Sequence, residues 1–151
     1  MKFLISLLLI LWSFTLAFAQ GGNELSSAIE KEITYKEWNY KDVRSGTEIN
    51  LRSFVAGKKF VLVVYFAPWC PNWKHDVRFV ERMYQKYRSA GFDVIAVGEY
   101  DTVDAVKKHI NDFNLTFPIV SESDSRASKE TTSHYALRRS AGDTRNWGSP
   151  P

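Results

Sequence analysis

A strand-length apolar run that passes directly into an amphipathic helix constrains the fold of this chain more than any other feature. Every residue from Phe60 to Phe66 is apolar or aromatic, and a short corner, Ala67 to Trp69, follows. The chain has one cysteine, Cys70, which comes next, and Pro71 suits the first position of a helix. This order predicts that Cys70 lies at a helix N-terminus, beside the end of a buried strand.

The predicted position of Cys70 has a chemical consequence. Unpaired backbone N–H groups and the positive end of the helix dipole favour a thiolate at a helix N-terminus, and the thiolate is the nucleophilic form of cysteine. Trp69 and Trp73 flank the sulfur, either as core aromatics or as a lid, and Lys74 adds positive charge in the first turn. A lone cysteine is also commonly a small buried hydrophobe. The residues alone therefore leave a reactive and an inert interpretation open.

Downstream of Cys70, amphipathic helices alternate with short apolar strands. Val61 to Phe66 lacks polar residues on both faces, which is typical of a fully buried strand. The patterns further predict a helix over Pro71–Ser89, a buried strand over Phe92–Val97, a helix capped by Asp101 or Thr102, a strand over Leu115–Val120, a helix over Lys129–Leu137 and a solvated loop over Arg138–Arg145. Pro118 favours an edge position for its strand. The β-α-β-α-β order predicts an α/β domain with a largely parallel sheet.

A hairpin is predicted before the central strand. Two segments of alternating polarity, Ile33–Tyr35 and Thr47–Leu51, lie on either side of Ser45 and Gly46. Glycine accepts the positive φ that a tight turn requires. Leu51–Val55 is predicted to form one helical turn that leads toward the central strand.

The first nineteen residues have the pattern of a secretory signal peptide. Lys2 supplies a positive charge, Phe3 to Phe18 are mostly apolar, and Ala17 and Ala19 form a small-x-small cleavage site. We therefore expect residues 1–19 to be removed, residues 20–34 to be loose, and residues 35–151 to form the folded domain. Export places that domain in the periplasm or outside the cell, with no stable membrane insertion after cleavage. An uncleaved signal anchor is the alternative.

The composition excludes one class of partner. The formal net charge of the chain is only +3, and basic residues do not cluster with exposed aromatics. Nucleic-acid binding therefore has no support in the sequence. The length suits one domain with a real core rather than two.

The corner and its surroundings resemble the thioredoxin-like superfamily, in particular the secreted redoxins of the TlpA-like and AhpC/TSA group. The resemblance spans about residues 35–151 and is carried by Ser45–Phe54, Lys59–Cys70, Phe92–Val97, Leu115–Val120 and Gly148–Pro150. It implies a thioredoxin-like fold with a central mixed sheet, flanking helices and an N-terminal hairpin. It also implies a cis-proline at Pro150, with Pro151 as a second candidate, packed beside Cys70. The implied partners are protein or small-molecule thiols and disulfides, without a cofactor or metal.

The sequence departs from this family in two places. Trp73 stands where the dithiol motif of the superfamily has its second cysteine, so Cys70 has no resolving thiol in this chain. The sequence also ends at Pro151, before the hairpin and helix that follow the cis-proline in the thioredoxin fold. We therefore expect the domain to be C-terminally incomplete, or to be completed by a partner chain, with one side of Val61–Phe66 unpaired.

Two related activities fit the sequence less well. Typical peroxiredoxins have proline and a hydroxyl residue at fixed positions before the cysteine, and here those positions hold Val63 and Ala67. A copper site would need Cys70 together with scattered histidines, which are His75, His109 and His134. We expect each histidine to lie at the surface.

The sequence thus supports three hypotheses. The first is an exported redox protein that uses Cys70 alone for thiol–disulfide exchange or for reduction of an oxidant, with Trp69, Pro71, Trp73, Lys74 and Pro150 around the site. The second is a redox-inactive binding module, in which Trp73 and the corner form a docking surface. The third is a copper-handling protein. Retention of function in a Cys70→Ser variant would distinguish the second from the first.

Overall fold

The computed structural model describes residues 37–123, 125 and 130–142. Several sequence predictions lie outside these residues: the signal peptide (1–19), the loose segment (20–34), the alternating segment Ile33–Tyr35 and the proline at position 150. In the described part, no helix has the length and apolar character needed to cross a membrane.

A hairpin is present with its turn and second strand where the sequence places them, whereas its first strand, Asn39–Lys41, was not predicted. β1 (Asn39–Lys41) pairs antiparallel with β2 (Glu48–Asn50). Gly46 has φ of +71° in the connecting turn, and Asp42 accepts hydrogen bonds from the Ser45 N–H and hydroxyl. The helical turn α1 (Leu51–Val55) follows directly, as predicted, and the Asn50 side chain caps it.

The central sheet consists of β3 (Phe60–Phe66), β4 (Phe92–Gly98) and β5 (Ile119–Ser121), which are parallel and lie in the order β3-β4-β5. The register pairs Phe66 with Gly98 and Gly98 with Ser121. The carboxyl ends of all three strands therefore meet at one edge. An antiparallel bridge between Asp42 and Val120 joins the hairpin to β5, so the arrangement is mixed.

Two strand predictions require correction. β3 is half-buried along most of its length rather than fully buried, and Phe60 is 63% exposed. The reason is its position, since among the described residues β3 pairs only with β4. The last strand begins at Ile119 rather than Leu115, although Pro118 still accepts a hydrogen bond from the Ala96 N–H. β5 is the last of the three parallel strands, as Pro118 predicted, but its outer side is bridged by Asp42 and accepts a hydrogen bond from the Val43 N–H.

Two helices cover one face of the sheet. α2 (Pro71–Tyr87) and α3 (Val103–Phe113) bury an apolar stripe against Val94 and Ala96 of β4. α3 approaches closely at Gly98, where a Cβ atom would lie 2.8 Å from a methyl group of Val106. The fold therefore requires glycine at the carboxyl end of β4.

The opposite face of the sheet packs against the hairpin region. Trp38 and Leu51 form a second apolar cluster with Ile95 and Val97 of β4. A fourth helix, α4 (Ser133–Ser140), begins after the Thr132 cap, later than the predicted Lys129. α4 also extends past the predicted end at Leu137, so Arg138, Arg139 and Ser140, which were predicted to lie in a solvated loop, form its last turn.

Candidate active site

Cys70 occupies the N-cap position of α2, as the sequence predicted. Its N–H donates to the Ala67 carbonyl at 3.0 Å, which closes the corner after β3. Its carbonyl accepts the first helical hydrogen bond, from the Lys74 N–H at 3.0 Å. The thiol is half-buried and forms no disulfide. The Cys70 side chain makes no capping hydrogen bond to the first turn of α2, and it packs against the apolar cluster beneath the helix.

Trp73 is a core residue, in the apolar cluster against which Cys70 packs. It is 9% exposed, and its indole N–H donates to Nε2 of the buried His109 at 2.9 Å. The two rings also lie against Phe66, with centroid distances of 5.1 and 5.4 Å. The position that would hold a second cysteine is therefore filled by a hydrogen-bonded aromatic pair between α2 and α3.

The burial of His109 overturns the expectation that each histidine lies at the surface. His109 is 3% exposed, and burial, together with the positive charge of Lys74, lowers its pKa to about 4. The ring is therefore neutral near pH 7, so that Nε2 accepts the Trp73 N–H. His134 is also half-buried, stacked on Tyr65 at 5.2 Å, and only His75 is exposed as expected.

Trp69 adopts a different environment from Trp73. It is half-buried, and its indole N–H donates to the backbone carbonyl of Tyr100 at 3.2 Å. Pro71 and Lys74 are exposed at the start of α2. The half-buried Cys70 is therefore preceded in the chain by an indole that is hydrogen-bonded to Tyr100 and followed by an exposed first turn of α2.

A pair of acidic residues follows β4 and β5 at the same end of the sheet. Glu99 is fully buried, its N–H donates to the Phe66 carbonyl at 2.8 Å, and its carboxyl oxygens have no hydrogen-bond partner among the described residues. Burial raises the pKa of Glu99 to about 10, and the neighbouring Glu122 adds to the rise. Glu99 is therefore a neutral acid at pH 7.

Glu122 has the opposite character. It accepts hydrogen bonds from the Tyr40 hydroxyl, from the Ser133 N–H at 2.8 and 2.9 Å, and from the Ser133 hydroxyl at 2.7 Å. Burial opposes ionisation, but the neighbours Glu99, Tyr40 and Ser133 outweigh it, so that the pKa of Glu122 is lowered. The ionised carboxylate ties the hairpin, β5 and the start of α4 together.

Sequence reasoning did not identify three residues near the corner: Glu99, Tyr100 and His109. For Glu99 a signal existed, since an acidic residue directly after a buried parallel strand stands at the edge where α/β sheets bind ligands. The polar contacts of His109 depend on how α2 and α3 pack, which the helical pattern alone does not specify.

The arrangement gives no support to a metal site. Among residues 37–123, 125 and 130–142, no three His, Cys, Asp or Glu side chains are grouped to hold a metal ion. The Nε2 atom of His109 is already engaged by Trp73. A copper site built on Cys70 and the histidines therefore lacks its ligands in the described part of the chain.

Comparison with known families identifies the group to which this fold and corner belong. A sequence model of the AhpC/TSA family matches residues 31–143, which is most of the chain. The chain belongs to the AhpC/TSA family. This confirms the resemblance drawn from the corner and the strands around it.

Curated relatives are bacterial thiol-disulfide oxidoreductases. The chain is 26% identical over 100 residues to the thiol-disulfide oxidoreductase ResA of Bacillus thuringiensis, a match that covers 66% of this chain and 50% of the relative. It is 30% identical over 61 residues to ResA of Oceanobacillus iheyensis, which covers 40% of this chain and 32% of that protein. The chain thus spans about half the length, or less, of the curated relatives that it matches.

Solved structures confirm the thioredoxin-like fold that the AhpC/TSA resemblance implied. The thioredoxin domain of a thiol-disulfide oxidoreductase from Bacteroides vulgatus superposes with a TM-score of 0.60 at 17% identity, covering 82% of this chain and 79% of that domain. A thiol:disulfide interchange protein of the thioredoxin family from Chlorobium tepidum superposes with a TM-score of 0.53 at 19% identity, covering 64% of each chain. At these identities the likeness concerns the fold.

Proposed function

We propose that this AhpC/TSA-family protein is an exported redox protein that uses Cys70 as a single nucleophile in thiol–disulfide exchange. The observation that carries the proposal is the position of Cys70 as the half-buried N-cap of α2, at the carboxyl edge of a parallel sheet. The relatives named as thiol-disulfide oxidoreductases support the same class of reaction. The signal-peptide pattern of residues 1–19 supports export.

The proposed reaction is a thiol–disulfide exchange, in which one disulfide bond is replaced by another and no cofactor takes part. The Cys70 thiolate attacks one sulfur of a disulfide, a Cys70–sulfur bond forms, and the original disulfide bond breaks. The other sulfur leaves as a thiolate and takes a proton from solvent. Cys70 is thereby oxidised to the mixed disulfide, while the leaving sulfur is reduced.

Turnover then requires a thiol other than those of residues 1–151, because this sequence contains one cysteine. That thiol attacks the mixed disulfide and releases Cys70 as thiolate. We expect small-molecule or protein thiols and disulfides as the partners, and Trp69, Pro71, Trp73 and Lys74 as the residues that shape access to the sulfur. Reduction of an oxidant by Cys70 is a variant of the same proposal. It lacks the hydroxyl of typical peroxiredoxins, since Ala67 stands at that position.

The proposal is tested by the rate at which Cys70 forms a mixed disulfide with oxidised glutathione at pH 7, followed by mass spectrometry. The folded chain should react faster than the same chain in urea, because the N-terminus of α2 stabilises the thiolate. A Cys70→Ser variant is the control and should not react. A folded chain that reacts more slowly than the unfolded chain would refute the use of Cys70 as a nucleophile.

The second candidate function is a redox-inactive binding module. The observation that favours it is Trp73, which fills the second-cysteine position as a buried, hydrogen-bonded residue. On this hypothesis the corner recognises a partner through shape, and the sulfur is dispensable. A partner captured from the native compartment should then bind the Cys70→Ser variant and the unmodified chain equally, without a covalent adduct.

A further inference from the structure

The residue after Glu99 adopts a backbone conformation that its side chain does not favour. Tyr100 has φ of +60°, and it is one of two residues other than glycine with positive φ in the described part of the chain. A bulky residue in this left-handed region is an outlier, because its Cβ atom crowds the following carbonyl oxygen. Such conformations persist where surrounding contacts enforce them, and they concentrate at functional sites.

The contacts that enforce this conformation use every polar group of Tyr100. Its N–H donates to the Ser123 hydroxyl at 2.6 Å, and its carbonyl accepts the Trp69 indole N–H at 3.2 Å. Its hydroxyl lies 3.2 Å from the Thr132 hydroxyl and 3.1 Å from Nδ1 of His134. The residue is 6% exposed. Ser123, which follows β5, and Thr132 and His134 at the start of α4 therefore hold Tyr100 in place. These contacts set the direction in which its carbonyl points.

We propose that Tyr100 is a positioning residue that holds the Trp69 indole beside Cys70 and thereby sets which disulfides reach the sulfur. Trp69 is bonded directly to Cys70 in the chain, so the orientation of its ring determines the space on that side of the thiol. The hydrogen bond from the Trp69 indole to the Tyr100 carbonyl also links α4 to the active-site corner, because Thr132 and His134 contact the Tyr100 hydroxyl. The inference rests on the proposed function only in taking Cys70 as the reacting group.

The Trp69 indole N–H is the donor of the hydrogen bond to the Tyr100 carbonyl. It gives a separate signal in an NMR spectrum of the full chain labelled with ¹⁵N-tryptophan. A Trp69→Phe variant assigns that signal by its disappearance. Removing the Tyr100 hydroxyl with Tyr100→Phe should release the backbone from α4. We expect hydrogen exchange of the Trp69 indole to accelerate about fivefold, which corresponds to the loss of one hydrogen bond of ordinary net strength.

The same variants are then compared in the alkylation of Cys70 by a small reagent, iodoacetamide, and by a bulky one, pyrenyl maleimide. Tyr100→Phe should raise the ratio of the bulky to the small rate, as should Trp69→Phe. In the Trp69→Phe background, Tyr100→Phe should leave the ratio unchanged, because the residue acts through the indole. Ser123→Ala, which removes the partner of the Tyr100 N–H, should reproduce the effect by an independent route.

Tyr87→Phe is the matched control, since Tyr87 lies exposed at the end of α2 and should affect neither measurement. The inference is overturned if Tyr100→Phe and Ser123→Ala lower stability to urea but leave both the Trp69 signal and the alkylation ratio unchanged. Failure of the unmodified chain to form mixed disulfides would remove the proposed function alone. The NMR comparison would still decide whether Tyr100 positions Trp69.

Discussion

At the scale of single residues, the pair of Trp73 and His109 determines what chemistry Cys70 can complete. An indole N–H that donates to a neutral, buried imidazole occupies the place of a second thiol. Each partner satisfies a polar atom that the other would leave unpaired in the core. The pair therefore fills this position with core packing, and residues 1–151 contain no second cysteine beside Cys70.

The first prediction concerns the energy of this pair. Trp73→Phe should lower the free energy of unfolding by about 1–3 kcal/mol, because it leaves the buried Nε2 of His109 without a donor. His109→Phe should have a comparable cost through the unpaired indole N–H. The double variant should cost less than the two single costs combined, since no unpaired polar atom remains. Urea titration at constant m-value measures all three.

Trp38→Phe provides the control for loss of indole volume. Trp38 is as buried as Trp73, but its indole N–H has no hydrogen-bond partner among the described residues. This substitution should therefore cost less than Trp73→Phe. Strict additivity of the two single costs at positions 73 and 109 would contradict the assigned hydrogen bond.

At the scale of secondary structure, the elements that the sequence predicted best are those specified by local pattern. The corner, the start of α2 at Pro71 and the turn at Gly46 each depend on the backbone preferences of one or two residues. The boundaries of β5 and α4 were predicted less well. Pairing with β4 decides where β5 begins, and the Thr132 cap decides where α4 begins.

The polar interior of the site was largely missed by pattern, although the position of Glu99 directly after a buried strand was a signal for that residue. Histidine and glutamate are ordinarily solvated, and the packing of neighbouring elements is what buries His109 on α3 and Glu99 after β4. Tyr100 has a strained backbone that no propensity scale would assign to tyrosine. Departures from local preference are expected at functional sites, and here they lie around one corner.

The prediction at this scale concerns the docking of α4. Glu122 holds the first turn of α4 through the N–H and hydroxyl of Ser133, and hydrogen bonds to a charged group contribute about 1.5–3 kcal/mol each. Glu122→Gln removes the charge and replaces one of the two accepting oxygens by an NH2 donor, so it should weaken the docking of the helix. Hydrogen exchange of the amides of α4 should accelerate, whereas exchange in β4 should remain unchanged.

Glu48→Gln is the matched control for this substitution, because Glu48 is an exposed residue of β2. It should leave exchange in α4 as it is in the unmodified chain. Equal protection of α4 in the Glu122→Gln variant and in this control would show that the carboxylate does not hold the helix.

At the scale of the whole molecule, two buried groups impose opposite pH dependences on stability. The pKa of His109 is about 4 in the fold against 6.5 ordinarily, so the unfolded chain binds more protons between these values and stability rises with pH. The pKa of Glu99 is about 10 against 4.5, so the folded chain holds a proton that the unfolded chain has lost, and stability falls with pH across that range. The two effects oppose each other below about pH 6.5, and above it only that of Glu99 remains.

The last prediction follows from this difference in range. Between pH 7 and 8.5, below the range in which tyrosines of the unfolded chain ionise, the free energy of unfolding should decline by up to about 1.4 kcal/mol per pH unit, the maximum for one proton. Glu99→Gln should flatten this decline because the amide does not titrate, whereas Glu48→Gln, at an exposed site, should leave it in place. His109→Phe should instead steepen the change between pH 4.5 and 6.5 toward lower stability at higher pH, since the opposing contribution is lost. Urea midpoints across this range measure each slope, and an alkaline decline that persists in Glu99→Gln would assign the proton to another group.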